Sequence, residues 1–178
     1  MDAIADELGV TTPALYSHVS GRDEILRLAA AEMIRELEPV LVEVADWREW
    51  LTRWATLLRA RLGEVGEELL EAIDTSLDIA ALQLAEQGIT LLVAAGLGPD
   101  EAGHALWLTA RIAFTAGPPG HGSRLPVESA RAVIGDDAGP VMAEALDAVG
   151  AADADDSFAF DLEVLVAGLA SRLDDQVR

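Results

Sequence analysis

Residues 1–26 constrain this chain more than any other stretch, because they punctuate two short helices the way a helix-turn-helix does. Ile4, Ala5 and Leu8 recur at the three-to-four-residue spacing of a helix face. Gly9 follows, where a helix end favours a left-handed residue free of a Cβ penalty. Thr12-Pro13 reopens a helix, with Thr12 as a candidate cap and Pro13 pre-set for the first turn. Leu15 and Val19 continue its buried side, and Ser20-Gly21-Arg22-Asp23 reads as a capping box before a third helix. Two helices this short bury little alone, so such a unit exists to present one of them to a partner, and the major groove of DNA is the partner this geometry suits.

The remainder is helical by pattern. Helices are expected over residues 22–38, 47–63, 67–77, 80–95, 99–116, 126–134, 140–149 and 157–176. Leu26, Ala29, Ala30, Met33 and Leu37 share a face of the first, which Pro39 closes, and Asp46 caps the second. Gly117-Pro-Pro-Gly-His-Gly122 is a loop, and residues 151–156 form an acidic linker. No period-two strand pattern occurs. Trp47, Trp50 and Trp54 form one helical stripe in a chain with four tryptophans, three phenylalanines and one tyrosine. Trp47 and Trp50 read as core. For Trp54 and Trp107 a ligand cleft and core packing both stay open, since aromatics both fill cores and line clefts.

Composition narrows the function. The formal net charge is −20, and all twelve cations are arginine. That balance opposes phosphate binding, yet residues 9–22 carry no acid, so the acid-free surface coincides with the second short helix. There is no cysteine, hence no disulfide or thiol chemistry. No basic, apolar leader opens the sequence, and no apolar run approaches the ~20 residues of a membrane helix, so the protein is expected in the cytoplasm, off the membrane. His18, His104 and His121 are too scattered for a metal motif, and neither a nucleophile elbow nor a phosphate cradle is present. Metal, cofactor and catalytic residues are all expected to be none.

The residues also carry a resemblance. Ile4 to Val10, Pro13 to Val19 and Arg22 to Leu26 closely resemble the DNA-binding head of TetR-family transcriptional regulators. Trp47-Arg-Glu-Trp-Leu51, Ala95 to Ala102, Phe114-Thr-Ala-Gly117 and Phe158 to Glu163 with Gly168-Leu169 resemble, in order, the regulatory domain of the tetracycline-repressor branch. The resemblance implies an all-α fold, with a helix-turn-helix head and linking helix at 1–38 and a ligand-binding and dimerisation bundle at 39–178. It implies that Thr12, Pro13 and Ala14 approach bases while Tyr16, His18 and Arg22 meet phosphates, with Thr11 on the same DNA-facing side. It also implies a further helix ahead of the motif. Either the start lies upstream or the head is truncated, and Ile4, Leu8 and Leu15 are then expected to lack a third wall and the head to hold operator DNA weakly.

At the positions where tetracycline repressors hold their drug, this chain has Glu38, Trp54, Leu58, Gly88 and Ala113, the last in place of the metal-holding histidine. The implied effector is therefore small, apolar or aromatic and bound without metal, against Trp54, Leu58, Trp107 and Phe114, with Gln87 and His104 to orient it. Homodimerisation is expected through helices 99–116 and 157–176. The small Ala105, Thr109 and Ala113 of the first would meet the wide stripe of Leu162, Leu165, Val166 and Leu169 in a four-helix bundle. The resulting expectation is a ligand-responsive regulator, a repressor in the family's manner, that binds a palindromic operator as a dimer. The rival is a headless ligand-binding or dimer-poisoning protein.

Overall fold

The computed structural model describes residues 1–63, 79–116, 127–134 and 139–176. Among them are ten helices and no strand: α1 (Asp2–Glu7), α2 (Thr12–Tyr16), α3 (Arg22–Arg35), α4 (Glu38–Leu41), α5 (Trp47–Gly63), α6 (Ile79–Ala94), α7 (Pro99–Thr115), α8 (Val127–Ile134), α9 (Pro140–Ala151) and α10 (Ala154–Gln176). The helix expected over 67–77, the loop at 117–122 with its His121, and the hinge at 135–137 lie outside the described residues.

The helix ends follow from local chemistry. Gly9 (φ 67°) and Gly96 (φ 119°) close α1 and α6 in the left-handed region. At each, the glycine N–H and the next residue's N–H turn back onto the helix, Gly9 to Asp6 and Val10 to Ala5, Gly96 to Val93 and Leu97 to Leu92. Asp46 caps α5 by accepting from the Arg48 and Glu49 amides at 2.9 and 3.0 Å. The expected acidic linker is shorter than its sequence suggests, because Asp153 accepts from the Asp155 and Asp156 amides and starts α10 at Ala154. Thr11, and not Thr12, caps α2, accepting from the Ala14 amide at 3.3 Å. Pro39 does not end α3; the helix stops at Arg35, and Pro39 sits inside the single turn of α4.

Two merging apolar clusters hold the body. One gathers Leu37, Leu41, Val44, Trp47, Trp50 and Leu51 with Leu84, Leu92, Leu97, Leu106, Leu169 and Leu173. The other joins Ala30 and Met33 of α3 to Ala55, Leu58 and Leu62 of α5, Ala110 and Ala113 of α7, and Phe158 and Leu162 of α10. The linking helix α3 thus buries Ala30, Ala31 and Met33, while Ala29, expected on that face, is exposed. Arg61 of α5 pairs with Glu36 at 2.9 Å, a second tie between the end of the linker and the body. In the head, α1 and α2 pack together. Leu15 is buried after all and Ile4 half-buried, whereas Leu8, Val10 and Leu28 are exposed.

Candidate functional site

The head presents its acid-free segment outward. Pro13, Ala14, Tyr16, His18 and Arg22 are all exposed, so α2, the turn after it and the start of α3 offer small and hydrogen-bonding groups to solvent. Thr11 is exposed, but its hydroxyl serves the cap. Thr12 turns the other way: it is half-buried, and its hydroxyl donates to Asp2 at 2.8 Å, tying α2 to α1. The capping box before α3 also differs from its sequence reading. Glu24, one residue beyond the expected Asp23, accepts from both the Ser20 amide and its hydroxyl.

Those bonds from the Ser20 hydroxyl and then its amide hold the Glu24 carboxyl below its ordinary 4.5, with Arg27 adding a smaller pull. A folded value below the unfolded one stabilises above the ordinary carboxylate range and is lost as pH falls through the lowered value. The Ser20 amide is therefore expected to lose hydrogen-exchange protection on acidification below 4.5. In Glu24→Gln the protection should be weak at every pH. A wild-type amide whose protection ignores pH would contradict the cap.

In the body, the three-and-four-residue tryptophan stripe on α5 behaves as a unit. Trp47 and Trp50 are buried, and Trp54 is half-buried and stacked on Trp50, with ring centroids 5.5 Å apart and planes inclined by 28°. Leu58, one turn on from Trp54, is buried in the second cluster. Gln87 is half-buried, but its amide donates to the Leu41 carbonyl at 3.0 Å, so it fastens α6 to α4. The remaining expected effector residues lie elsewhere. His104 is exposed, with Nδ1 2.8 Å from the Asp100 carbonyl, and Trp107 and Phe114 are exposed.

The expected dimer residues on α7 show the converse. Ala105, Thr109 and Ala113 are buried inside the protomer, and the Thr109 hydroxyl donates to the Ala105 carbonyl at 2.8 Å. On α7 the small residues therefore face the protomer's interior and the aromatic ones face solvent. With 3.6 residues per turn, positions 102, 105, 109 and 113 share one face and 104, 107, 111 and 114 the opposite one. Small side chains let α5 lie close on α7, so the aromatics are turned out. On α10, likewise, Leu162 and Leu169 are buried in the core and Leu165 and Val166 are half-buried. The outward residues are Phe160 and Val164, which line one groove with Leu108 and Ile112 of α7.

Sequence reasoning missed two features. Trp50 was read as plain core, yet its indole reaches across to Gly88. A Cβ added there would lie 2.5 Å from Cζ3 and Cη2 of the ring. The Trp50 Nε1–H, moreover, is buried with no hydrogen-bond partner. The space beside Gly88 is thus filled by the Trp50 ring, and only Gly88 itself signalled that approach. The second is the exposed apolar strip of Trp107, Leu108, Phe160 and Val164, legible only once the register of both helices is known.

Among the described residues no group of three or more histidines, cysteines or carboxylates is placed to hold a metal. No described helix is long and apolar enough to cross a membrane.

Residues 39–173 match the family described as tetracyclin repressor-like, C-terminal domain. The chain belongs to the TetR family of transcriptional regulators. Solved structures agree on the fold. A possible TetR family transcriptional regulator from Streptomyces coelicolor A3(2) superposes with a TM-score of 0.71 at 23% identity, over 96% of this chain and 88% of that one. A TetR variant from Acinetobacter baumannii AYE in complex with minocycline gives 0.63 at 23% identity, over 95% and 83%. BioQ of Mycobacterium smegmatis gives 0.60 at 25% identity, over 94% and 83%. No curated protein matches the chain by sequence. The TetR fold here is all-helical, and proteins of this family are transcription factors, not enzymes.

Proposed function

We infer that this TetR-family protein is a ligand-responsive repressor that grips a palindromic operator as a homodimer and lets go when a small apolar or aromatic effector binds in the body. The carrying observation is the exposed, acid-free face of α2 in a chain of net charge −20. In so acidic a chain DNA is repelled least where acids are absent, and Arg22 supplies a cation at the edge of that segment. Pro13 and Ala14 are small enough for the backbone to approach base edges, and Tyr16, His18 and Arg22 suit phosphate oxygens. Paired heads must meet half-sites ~34–36 Å apart, so an effector that tilts α3 breaks many contacts together. The two apolar residues of the expected effector set that stay with the interior, Trp54 and Leu58, support a stacking site on the outer face of the Trp54 ring. Ala113 at the position of the metal-holding histidine supports metal-free binding.

Selection from a random duplex pool at low salt tests the DNA half. Enrichment of a palindrome with half-sites one turn apart is expected, and His18→Ala and Arg22→Ala should weaken binding to all sequences alike. The exposed Leu8, Val10 and Leu28 favour a second reading, in which these residues bind ligand and partner copies without holding DNA. Failure to enrich any duplex, with effector binding intact, would select that reading.

Tryptophan fluorescence tests the effector half. A planar aromatic ligand is expected to quench the emission in wild type and in Trp107→Phe, but not in Trp54→Phe. Magnesium–tetracycline should leave both the emission and the melting temperature unchanged. Quenching that follows Trp107 instead would place the ligand on the outer face of α7 and overturn the site.

A further inference from the structure

A second site lies on the opposite side of α5 from the tryptophans. Between α5 and α10 runs an open groove of about 730 Å³, within the ~300–1,000 Å³ range of small-molecule sites. Its walls are Thr52, Thr56 and Ala60 on one helix and Ala159, Leu162 and Val166 on the other, so its floor is nearly all hydrocarbon. None of Trp50, Trp54 and Leu58 lines it.

One end of the groove holds a buried cation. The Arg59 side chain is only 5% exposed, its guanidinium lies 4.5 Å from the centroid of the Phe158 ring, and Nη2 is 2.7 Å from Oδ1 of Asp155. Asp155, by contrast, is 51% exposed and sits in the first turn of α10. The guanidinium is buried, and the carboxylate facing it is half open to water. Arg48 lines the same groove eleven residues earlier on α5, about 16 Å along the helix axis. Glu163, the other acid on the wall, is exposed at the rim.

We propose that this groove binds a linear amphipathic carboxylate of the fatty-acid class, its head on Arg59 in place of Asp155 and its tail along Leu162 and Val166 toward Arg48. An arginine offers a carboxylate two parallel N–H bonds, and one already buried loses little water when the exchange occurs. Asp155 brings only charge to that exchange, whereas the ligand also removes its tail and the groove floor from water. The class follows from this pairing: an alcohol or alkane lacks the head, and acetate lacks the tail. Displacing Asp155 loosens the first turn of α10 from α5, so the site would report on the packing of the last helix and not on the interior near Trp54.

Calorimetric titration with octanoate, decanoate and dodecanoate, each below its micelle-forming concentration, tests the proposal. The dissociation constant is expected to fall about fourfold per added methylene, the increment of apolar burial. Dodecanol should bind at least tenfold more weakly than dodecanoate. Ala167→Trp, an exposed groove position whose new side chain fills the channel, should abolish binding while leaving the helical circular dichroism unchanged. Asp155→Asn should tighten binding several-fold by removing the competitor. Dodecanoate binding that survives Ala167→Trp, or dodecanol binding as well as dodecanoate, would overturn the proposal. So would a fall in sedimentation coefficient in Ala167→Trp with no fatty acid bound by wild type, which would give the groove to a second copy of the chain. Trp54→Phe should leave dodecanoate binding intact, so failure of the effector reading and failure of this one are separate results.

Discussion

Aspartate at Leu108 or Val164 is expected to convert a micromolar dimer into a monomer while leaving the protomer folded. Both residues are exposed, at 42% and 54%, and with Phe160 they line the groove between α7 and α10. In a two-fold interface each residue occurs twice, so one substitution removes two buried side chains. At about 1.5–3 kcal/mol for each, the dimer constant should weaken roughly 10²- to 10⁴-fold before any penalty for burying the new charges. Sedimentation velocity reads the assembly, and circular dichroism checks the fold. Val42→Asp, also at an exposed apolar site, is the control and should remain dimeric. The monomer should lose operator binding as well, because one head meets one half-site. A dimer that survives both aspartates would move the interface off this face. Ala105, Thr109 and Ala113 are unsuitable for this test, since all three are buried and substitution there would unfold the body.

The fold was legible because its signals are local. Gly9, Gly96 and Asp46 stop and start helices through their own backbone geometry or side-chain reach, and the seventeen-residue α5 coincides with its expected span. The facing of each helix was not legible in the same way. On α7 two stripes compete, one of small residues and one carrying His104, Trp107 and Phe114, and hydrophobicity alone ranks the aromatic stripe inward. The packing decides otherwise, because a helix that must lie close to α5 needs alanine and threonine at the contact. The candidate site inherits that ambiguity: Trp54 and Leu58, on a helix with one apolar stripe, face inward as expected, whereas His104, Trp107 and Phe114 face solvent. Arg59 was opaque for a different reason. A lone arginine in a helix reads as surface, and its burial depends on Phe158 and Asp155, nearly a hundred residues away.

Gly88→Ala is expected to destabilise the protein despite alanine's advantage in a helix. Gly88 lies within α6, where alanine over glycine ordinarily gains about 0.5–1 kcal/mol. Here the new Cβ would sit 2.5 Å from two carbons of the Trp50 ring and 3.2 Å from Cδ1 of Leu106. The ring has no room to retreat, being 1% exposed and stacked on Trp54. Overpacking of this kind costs about 1–3 kcal/mol, and a cost of about 2–2.5 kcal/mol here, less the helix gain, leaves a net loss near 1–2 kcal/mol. For a chain of this length that is a fall in melting temperature of about 2–8 °C, measurable by scanning calorimetry. Trp50→Phe removes the ring atoms in conflict, and in that background Gly88→Ala should be neutral or stabilising. The double-mutant cycle therefore has a predicted sign as well as a size: strong coupling, with the second substitution rescuing the first. Because the strain on the Trp50 ring is passed to the stacked Trp54, Gly88→Ala should also weaken effector quenching, whereas a defect confined to α6 would lower the melting temperature and leave the quench intact.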